Sequence, residues 1–304
     1  MPLPSTILMI RPVSFGYNEE TAATNFFQSP LPGKQKVQAL AMGEFENMVN
    51  LMRDHDIEVI VFEDTDGNPK PDAVFLNNWL GTSPAGIIFI FPMYAENRRS
   101  EKRDDILKWL NENFKVKDVQ DWSEFEAEGR FLEGTGSMVM DHKNKMIYAA
   151  ISPRTNLFVL EKFAGANGYQ AMVFLATDKN GNPVYHTNVV MTLGEEFAVL
   201  CEEAIEEEWE LIAVRQLLES TDHKIIPISR DQMLSFAGNM LELKNKKGER
   251  ILIMSRAAFE SLKDEQKQIL ESYAKLLPIP VPTIEAVGGG SVRCMMTEVF
   301  LEKK

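Results

Sequence analysis

The chain predicts an α/β fold in which five like units of about 55 residues close into a ring. Two observations carry this. Helix, strand and hairpin patterns recur in one order along the 304 residues. A polar residue also opens each hairpin: Asn78, Glu133, His186, Asn239 and Cys294, at intervals of 55, 53, 53 and 55 residues. A period of that size marks a closed array of like units rather than unrelated domains. Residues 1–304 therefore read as a single domain, although length alone would divide into about two. In such a ring the starts of the inner strands point at one axis, and the five polar residues converge on one pocket.

The elements follow in order. Thr6–Ile10 is an apolar strand with no helix before it. A helix runs from Gln35 to Arg53, with Val37, Leu40, Ala41, Phe45, Met48, Val49 and Met52 at the three-and-four spacing of a buried stripe. Glu58–Phe62 is a strand. A loop with Gly67, Pro69 and Pro71 leads to strands at Ala73–Phe75 and Gly86–Phe91. Ile106, Leu107, Leu110 and Phe114 mark the second helix, and Ser137–Met140 pairs with Met146–Ile151 as its hairpin. The third helix holds Leu157, Leu160 and Phe163; strand Ala171–Ala176 and the hairpin Asn188–Met191 with Phe197–Leu200 follow. The fourth holds Trp209, Ile212, Ala213 and Leu217, then strand Lys224–Ile228 and the hairpin Met240–Leu243 with Arg250–Met254. The fifth holds Ile269, Leu270, Tyr273 and Leu277. Arg293–Leu301 is a last strand without a partner after it, so pairing with Thr6–Ile10 closes the ring.

Composition excludes several classes. Lys and Arg number 32 against 45 Asp and Glu, a net charge of −13, which argues against a nucleic-acid or anionic-membrane surface. Two cysteines are too few for a disulfide framework or a Cys-rich zinc site. The most apolar run, Gly86 to Ala95, is about half the ~20 residues a membrane span needs and contains Pro92. Met1 to Thr6 lacks a basic region ahead of a long apolar stretch, so no secretory signal is expected and the cytoplasm is the expected compartment. Glu202 to Glu210 contains six Glu and reads as a solvated helix start.

Four places carry chemistry. Cys294 follows Gly288-Gly289-Gly290-Ser291-Val292-Arg293, where residues without a β-carbon let backbone approach a ligand. A thiol beside Arg293 is expected to have a lowered pKa and to act as a nucleophile. Cys201, in an apolar run, reads as a core residue. His186 shares a strand face with Asn188 and suits a proton shuttle near neutrality; His55, His142 and His223 sit in polar, turn-like surroundings and are expected at the surface. Glu133, followed by Gly134-Thr135-Gly136, suits binding a cationic group or orienting His186; this glycine pattern is not a dinucleotide fingerprint. Asp72, Asn77 and Asn78 surround an aromatic segment, and adjacent asparagines in apolar company need satisfied amides.

Taken together, Pro71-Asp72-Ala-Val-Phe75-x-Asn77-Asn78, Glu133-Gly134, His186-Thr-Asn188, Gly238-Asn239 and Gly288-Gly-Gly-Ser-x-Arg-Cys294 resemble the guanidino-group-modifying superfamily, the penteins. The resemblance spans nearly the whole chain at one motif per repeat. It is nearest to the citrulline-utilisation hydrolase branch, through "NNW", "EGTGS", "YHTN" and "GGGSxRCM", and extends to arginine deiminase and dimethylarginine dimethylaminohydrolase. The resemblance implies a fivefold pseudosymmetric β/α propeller, with Cys294 as nucleophile, His186 as general acid/base and Glu133 as its carboxylate partner. It implies substrate contacts by Asp72, Phe75, Asn77, Asn78, Asn188 and Asn239, with Arg154 for an α-carboxylate. Asn78 and Asn188 stand where arginine deiminases carry aspartates. Two carboxylates grip a guanidinium by charge-assisted bonds, whereas amides suit a neutral ureido group. The implied activity is hydrolysis of a non-peptide C–N bond of a guanidino or ureido amino acid, citrulline- or arginine-like, with no metal or organic cofactor. An amidinotransferase would share the first half-reaction and use an amine in place of water. A non-catalytic propeller would lack one of the triad.

Overall fold

In a computed structural model, residues 3–64 and 69–304 are described; Gly67 and the first two residues lie outside them. The described residues hold five three-stranded sheets. Strand β1 (Thr6–Arg11) pairs in parallel with β2 (Glu58–Glu63), with helix α1 (Lys34–Asp54) between them. Four units then repeat one plan: an inner strand, an antiparallel middle strand, a helix, and an outer strand parallel to the middle one. The second unit is β3 (Leu80–Thr82), β4 (Ile87–Ile90), α2 (Asp104–Asn113) and β5 (Asp118–Asp121). The third is β6 (Val139–Asp141), β7 (Met146–Ala150), α3 (Leu157–Asn167) and β8 (Gln170–Phe174). The fourth is β9 (Met191–Leu193), β10 (Phe197–Leu200), α4 (Glu208–Ser220) and β11 (Lys224–Pro227). The fifth is β12 (Leu241–Lys244), β13 (Arg250–Ser255), α5 (Asp264–Glu271) and β14 (Lys275–Ile279). Strand β15 (Thr297–Glu298) supplies the missing inner strand of the first unit, pairing antiparallel with β1 through Ile7↔Glu298 and Leu8↔Thr297.

Each unit is hydrogen-bonded to the next. Thr82 Oγ1 donates to Glu298 O, Asn77 Nδ2 to Thr135 Oγ1, Thr187 Oγ1 to Ser137 O and Thr192 Oγ1 to Gly238 O; Lys244 N donates to Pro4 O and returns to the first unit.

Helix α1 buries Val37, Ala41, Phe45, Met48, Val49 and Met52, as its spacing requires, but Leu40 is exposed. Helix α4 is rotated from the expected face. Val214 and Leu218 are its buried apolar residues, while Trp209 is 65 % exposed and Ile212 46 %. Glu210, expected in a solvated run, is buried and its Oε2 accepts from Leu175 N. Among the histidines expected at the surface, His223 is buried and His55 and His142 are half-buried.

Several expected strands are tight helical turns. Ala73–Phe75 leads into a 3-10 turn at Leu76–Asn78, Thr187–Val190 is a helical turn, and Val292–Met295 is a 3-10 turn before a two-residue strand. Residues this buried show apolar patterns in either conformation, so alternation does not separate them. Leu277, assigned to the fifth helix, lies in β14. Strand β5 escapes a pattern search because its residues, Asp-Val-Gln-Asp, are polar and largely exposed.

Candidate active site

The short turns ahead of the inner strands carry the five periodic residues inward. Asn78, Glu133, His186, Asn239 and Cys294 are all buried at 3 % exposure or less. Cys294, His186 and Asn78, with Asp72, Phe75 and Arg154, line one small cavity.

His186 Nε2 lies 2.8 Å from Glu133 Oε2, so the carboxylate orients the ring. Glu133 also accepts from Tyr94 N at 3.0 Å and has Arg154 Nη1 at 3.6 Å and Arg98 Nη1 at 4.0 Å. Burial alone would raise its pKa, but the Arg154 charge, the His186 bond and Arg98 together pull it down to about 2. Burial pushes His186 down to about 4, against the opposing pull of Glu133. At neutral pH the pair is therefore an ionised carboxylate and a neutral imidazole.

The Cys294 thiol differs from its expected state. Burial raises its pKa, and the lowering contributions of Ser291, Asn239, Arg293 and Asn188 do not reverse that. Arg293 is turned away: its Nη2 donates to both Glu298 carboxylate oxygens at 3.0 Å and its Nη1 to Met296 O at 2.9 Å. Two asparagines face the sulfur instead. Asn239 Nδ2 lies 3.3 Å from Sγ and Asn188 Nδ2 3.6 Å. Asn239 Oδ1 accepts from Arg293 N and its Nδ2 also donates to Asn188 O, which fixes the amide. Asn188 and Asn239 therefore hold the sulfur rather than line the cavity in front of it.

Asn77 also lies outside the cavity lining. Its Nδ2 donates to Thr135 Oγ1 and its Oδ1 accepts from Asn78 Nδ2 at 3.0 Å. Asn78 Oδ1 accepts from Arg98 Nη1 at 2.8 Å. A guanidinium only donates, so this contact fixes which end of the Asn78 amide is oxygen and leaves an N–H for the cavity.

Asp72 is buried, and its Oδ2 accepts from Asn18 Nδ2 at 2.7 Å and Thr21 Oγ1 at 3.0 Å. Its Oδ1 has no hydrogen-bond partner within the protein. An unpartnered carboxylate oxygen in a cavity wall is a place for a ligand's N–H. Burial raises the pKa of Asp72, with Arg98, Asn18 and Arg154 opposing. Arg154 donates through Nη2 to Thr21 O and Thr24 Oγ1 and through Nε to Thr24 Oγ1.

The glycine run closes the cavity's other side. A β-carbon at Gly288 or Gly290 would stand 2.7 or 3.0 Å from the Phe75 ring, and Gly289 adopts φ +63. The Gly289 carbonyl accepts from Asn25 Nδ2 and Tyr185 Oη, and its amide donates to Glu285 O, so that amide is not free for substrate.

Sequence reasoning missed Arg98, Glu101, Tyr185 and the segment Asn18–Gln28. Arg98 is fully buried against Glu101, whose pKa burial and the nearby acids raise to about 7 despite Arg98. Nothing in Glu96-Asn-Arg-Arg-Ser-Glu101 distinguishes Arg98 from Arg99. Tyr185 stood next to a candidate, and its neighbour was the only signal. Among the described residues no group of three or more His, Cys, Asp or Glu is arranged to hold a metal ion, and no helix is long and apolar enough to cross a membrane.

The sequence profile described as "N,N dimethylarginine dimethylhydrolase, eukaryotic" matches residues 11–301. A search of curated proteins finds no match. Among solved structures, the N-terminal domain of ArgZ, an arginine dihydrolase from the ornithine-ammonia cycle in cyanobacteria, in a cysteine-to-serine mutant bound to substrate, is 17 % identical; the match covers 97 % of each chain with a TM-score of 0.75. A variant of that domain covalently bound to a reaction intermediate is 18 % identical over 97 % of each chain, with a TM-score of 0.72. A dimethylarginine dimethylaminohydrolase adduct with S-methyl-L-thiocitrulline is 15 % identical, covering 98 % of this chain and 100 % of that one, with a TM-score of 0.66. At these identities the structural likenesses speak to the fold.

Proposed function

We propose, on the premise that the chain belongs to the N,N dimethylarginine dimethylhydrolase family and with it to the guanidino-modifying pentein superfamily, that it hydrolyses a non-peptide C–N bond of a guanidino or ureido amino acid through a covalent intermediate on Cys294. The observation that carries the reading is one cavity lined by Cys294 and by a His186 held by Glu133, each delivered from a different unit. The arrangement of the five sheets is read as a fivefold pseudosymmetric propeller forming one domain; the cycle of neighbour-to-neighbour bonds supports it. The two free cysteines fit a reducing compartment, the cytoplasm.

The resting thiol and imidazole are neutral, so the nucleophile forms when substrate arrives. A cationic guanidinium within about 4 Å of the sulfur is worth roughly 4 kcal/mol at an effective dielectric near 20, about three pKa units, which offsets burial. A neutral ureido group brings no such charge, and there the proton transfer accompanies attack; in either case the thiol proton passes to His186, whose Nδ1 is the nitrogen not committed to Glu133. Sγ attacks the central carbon, and the S–C bond forms. The C–N bond breaks as His186 protonates the departing amine or ammonia. Water then attacks the carbon with His186 as base, the S–C bond breaks and the thiol is restored. Asn239 and Asn188 donate to the sulfur while it is charged; hydrogen bonds to charged groups are worth about 1.5–3 kcal/mol each.

Substrate recognition divides among the other residues. Asp72 Oδ1 accepts from the ammonium or guanidinium end, Phe75 covers the stem, and Arg154, whose Nη1 also faces Glu133 at 3.6 Å, reaches an α-carboxylate. Asn78, held as a donor by Arg98 and backed by Asn77, gives its N–H to a carbonyl oxygen. A ureido group offers that acceptor and a guanidinium does not, which favours a citrulline-like substrate. A panel of arginine, citrulline, agmatine, dimethylarginine and succinylarginine, scored for ornithine, citrulline and ammonia, tests the reading. Turnover of none of them, or a wild-type rate in Cys294→Ser, would defeat it.

A further inference from the structure

Behind the sulfur lies a second cavity that the reaction above does not use. It lies between the five inner strands: Thr82 of β3, Val139 of β6, Leu193 of β9, Leu241 of β12 and Glu298 of β15 all contribute to its wall. Strand direction places it along the axis, on the far side from substrate. Asn78, Glu133, His186 and Cys294 precede the starts of their inner strands, whereas Leu193 ends β9 and His142 and Phe300 lie just past β6 and β15. His142 and Phe300 are half-buried, so the cavity meets solvent there. At its inner end is Asn188, whose Nδ2 is 3.6 Å from Cys294 Sγ. One side chain therefore separates this cavity from the thiol.

We propose that the axial cavity is a second route to Cys294, carrying water in and ammonia out while the amino-acid part of the substrate fills the front cavity. The proposal rests on the covalent reading given above. The front cavity is small and closely walled by Phe75, Tyr185 and Gly288 to Gly290. The Asn18–Gln28 segment straps it through Asn25 to Gly289 and through Thr21 and Thr24 to Arg154. When ammonia is the first leaving group, the remainder of the substrate stays bonded to Sγ and its stem still occupies that space. One water must then reach the carbon, and one ammonia must leave, past an occupied entrance. The axial route avoids it. Its wall suits neutral molecules of this size: Val139, Leu193 and Leu241 are apolar, Thr82 supplies a hydroxyl, and the two charges, Arg293 and Glu298, neutralise each other.

The test narrows the route away from the site. Val139→Phe and Leu193→Phe each place an aromatic ring in the axial cavity and touch neither Cys294 nor the front cavity. Adduct formation on the enzyme is followed by quenched-flow intact mass, with turnover and thermal midpoint measured beside it. The expected result is adduct formation within about twofold of wild type, kcat lowered roughly tenfold, and adduct accumulating in the steady state. Leu193→Ala, added to Val139→Phe, reopens the space and restores kcat. Folded narrowing variants that keep the wild-type kcat and adduct level would overturn the route and leave the nucleophile intact. Absence of any adduct on wild-type enzyme during turnover would overturn the nucleophile, and the route with it.

Discussion

Gly136→Ala is expected to disable the enzyme without unfolding it. A β-carbon at Gly136 would stand 2.7 Å from His186 Nδ1, 2.7 Å from His186 Cε1 and 2.7 Å from Asn78 Nδ2. Ordinary contact between such atoms is ~3.5–4.0 Å, so the imidazole must retreat by about 0.8 Å or more. It has little freedom to do so, because its other edge holds Glu133 at 2.8 Å and the ring is 1 % exposed. Retreat therefore bends or stretches the bond that orients the base, and displaces the Asn78 amide from the same point. A misplacement near 1 Å costs on the order of 10²-fold in rate, and overpacking costs about 1–3 kcal/mol of stability, less than the ~5–15 kcal/mol that a folded domain holds. The measurement is kcat on the best substrate of the panel, with the thermal midpoint alongside. Gly165→Ala is the control: Gly165 lies in α3, its added β-carbon meets nothing within 4 Å, and alanine in a helix gains about 0.5–1 kcal/mol. A folded Gly136→Ala enzyme with wild-type kcat would refute the argument, since the working imidazole would then not lie against Gly136.

Four further outcomes are expected. Cys294→Ala abolishes the mass adduct, whereas Cys201→Ala leaves it, because Cys201 sits in the core with its thiol pushed up to about 12 by burial; adduct in the first variant would reassign the nucleophile. Alkylation of Cys294 in ligand-free enzyme climbs with pH through 7 to 9 without a plateau, because burial raises the thiol pKa above that of an ordinary thiol and the reactive thiolate grows as protons leave; a plateau below pH 8 contradicts the buried, neutral thiol. Asn78→Asp gives Arg98 an ion-pair partner and replaces the donor by an acceptor, so the ratio of kcat/KM for citrulline over arginine falls on the order of 10²-fold; an unchanged ratio removes Asn78 from recognition. Trp79→Ala, at a fully buried side chain, costs about 3–5 kcal/mol by denaturant titration, whereas Trp209→Ala, at one 65 % exposed, changes stability by under about 0.5 kcal/mol.

The sequence by itself determined the repeat and the sites it repeats. Intervals of 53 to 55 residues located five equivalent positions before any contact was known; all five are buried, and Asn78, His186 and Cys294 line one cavity. The unpaired Thr6–Ile10 and the unpaired last strand required each other, and β1 pairs with β15. These features were legible because strand periodicity and spacing are local properties. What only the tertiary structure decided depends on which distant groups share a desolvated space. Arg293 adjoins Cys294 in the chain, yet its charge is spent on Glu298, so neighbours in sequence gave the wrong sign for the thiol pKa. Arg98 looks like Arg99 in the sequence, but one is 2 % exposed and fixes the Asn78 amide while the other is not buried. Asn188 and Asn239 were read as substrate contacts; folding turns both amides onto the sulfur. Electrostatics in a low-dielectric pocket is set by distances of a few ångströms between residues 5 to 106 positions apart, and no periodicity encodes those distances.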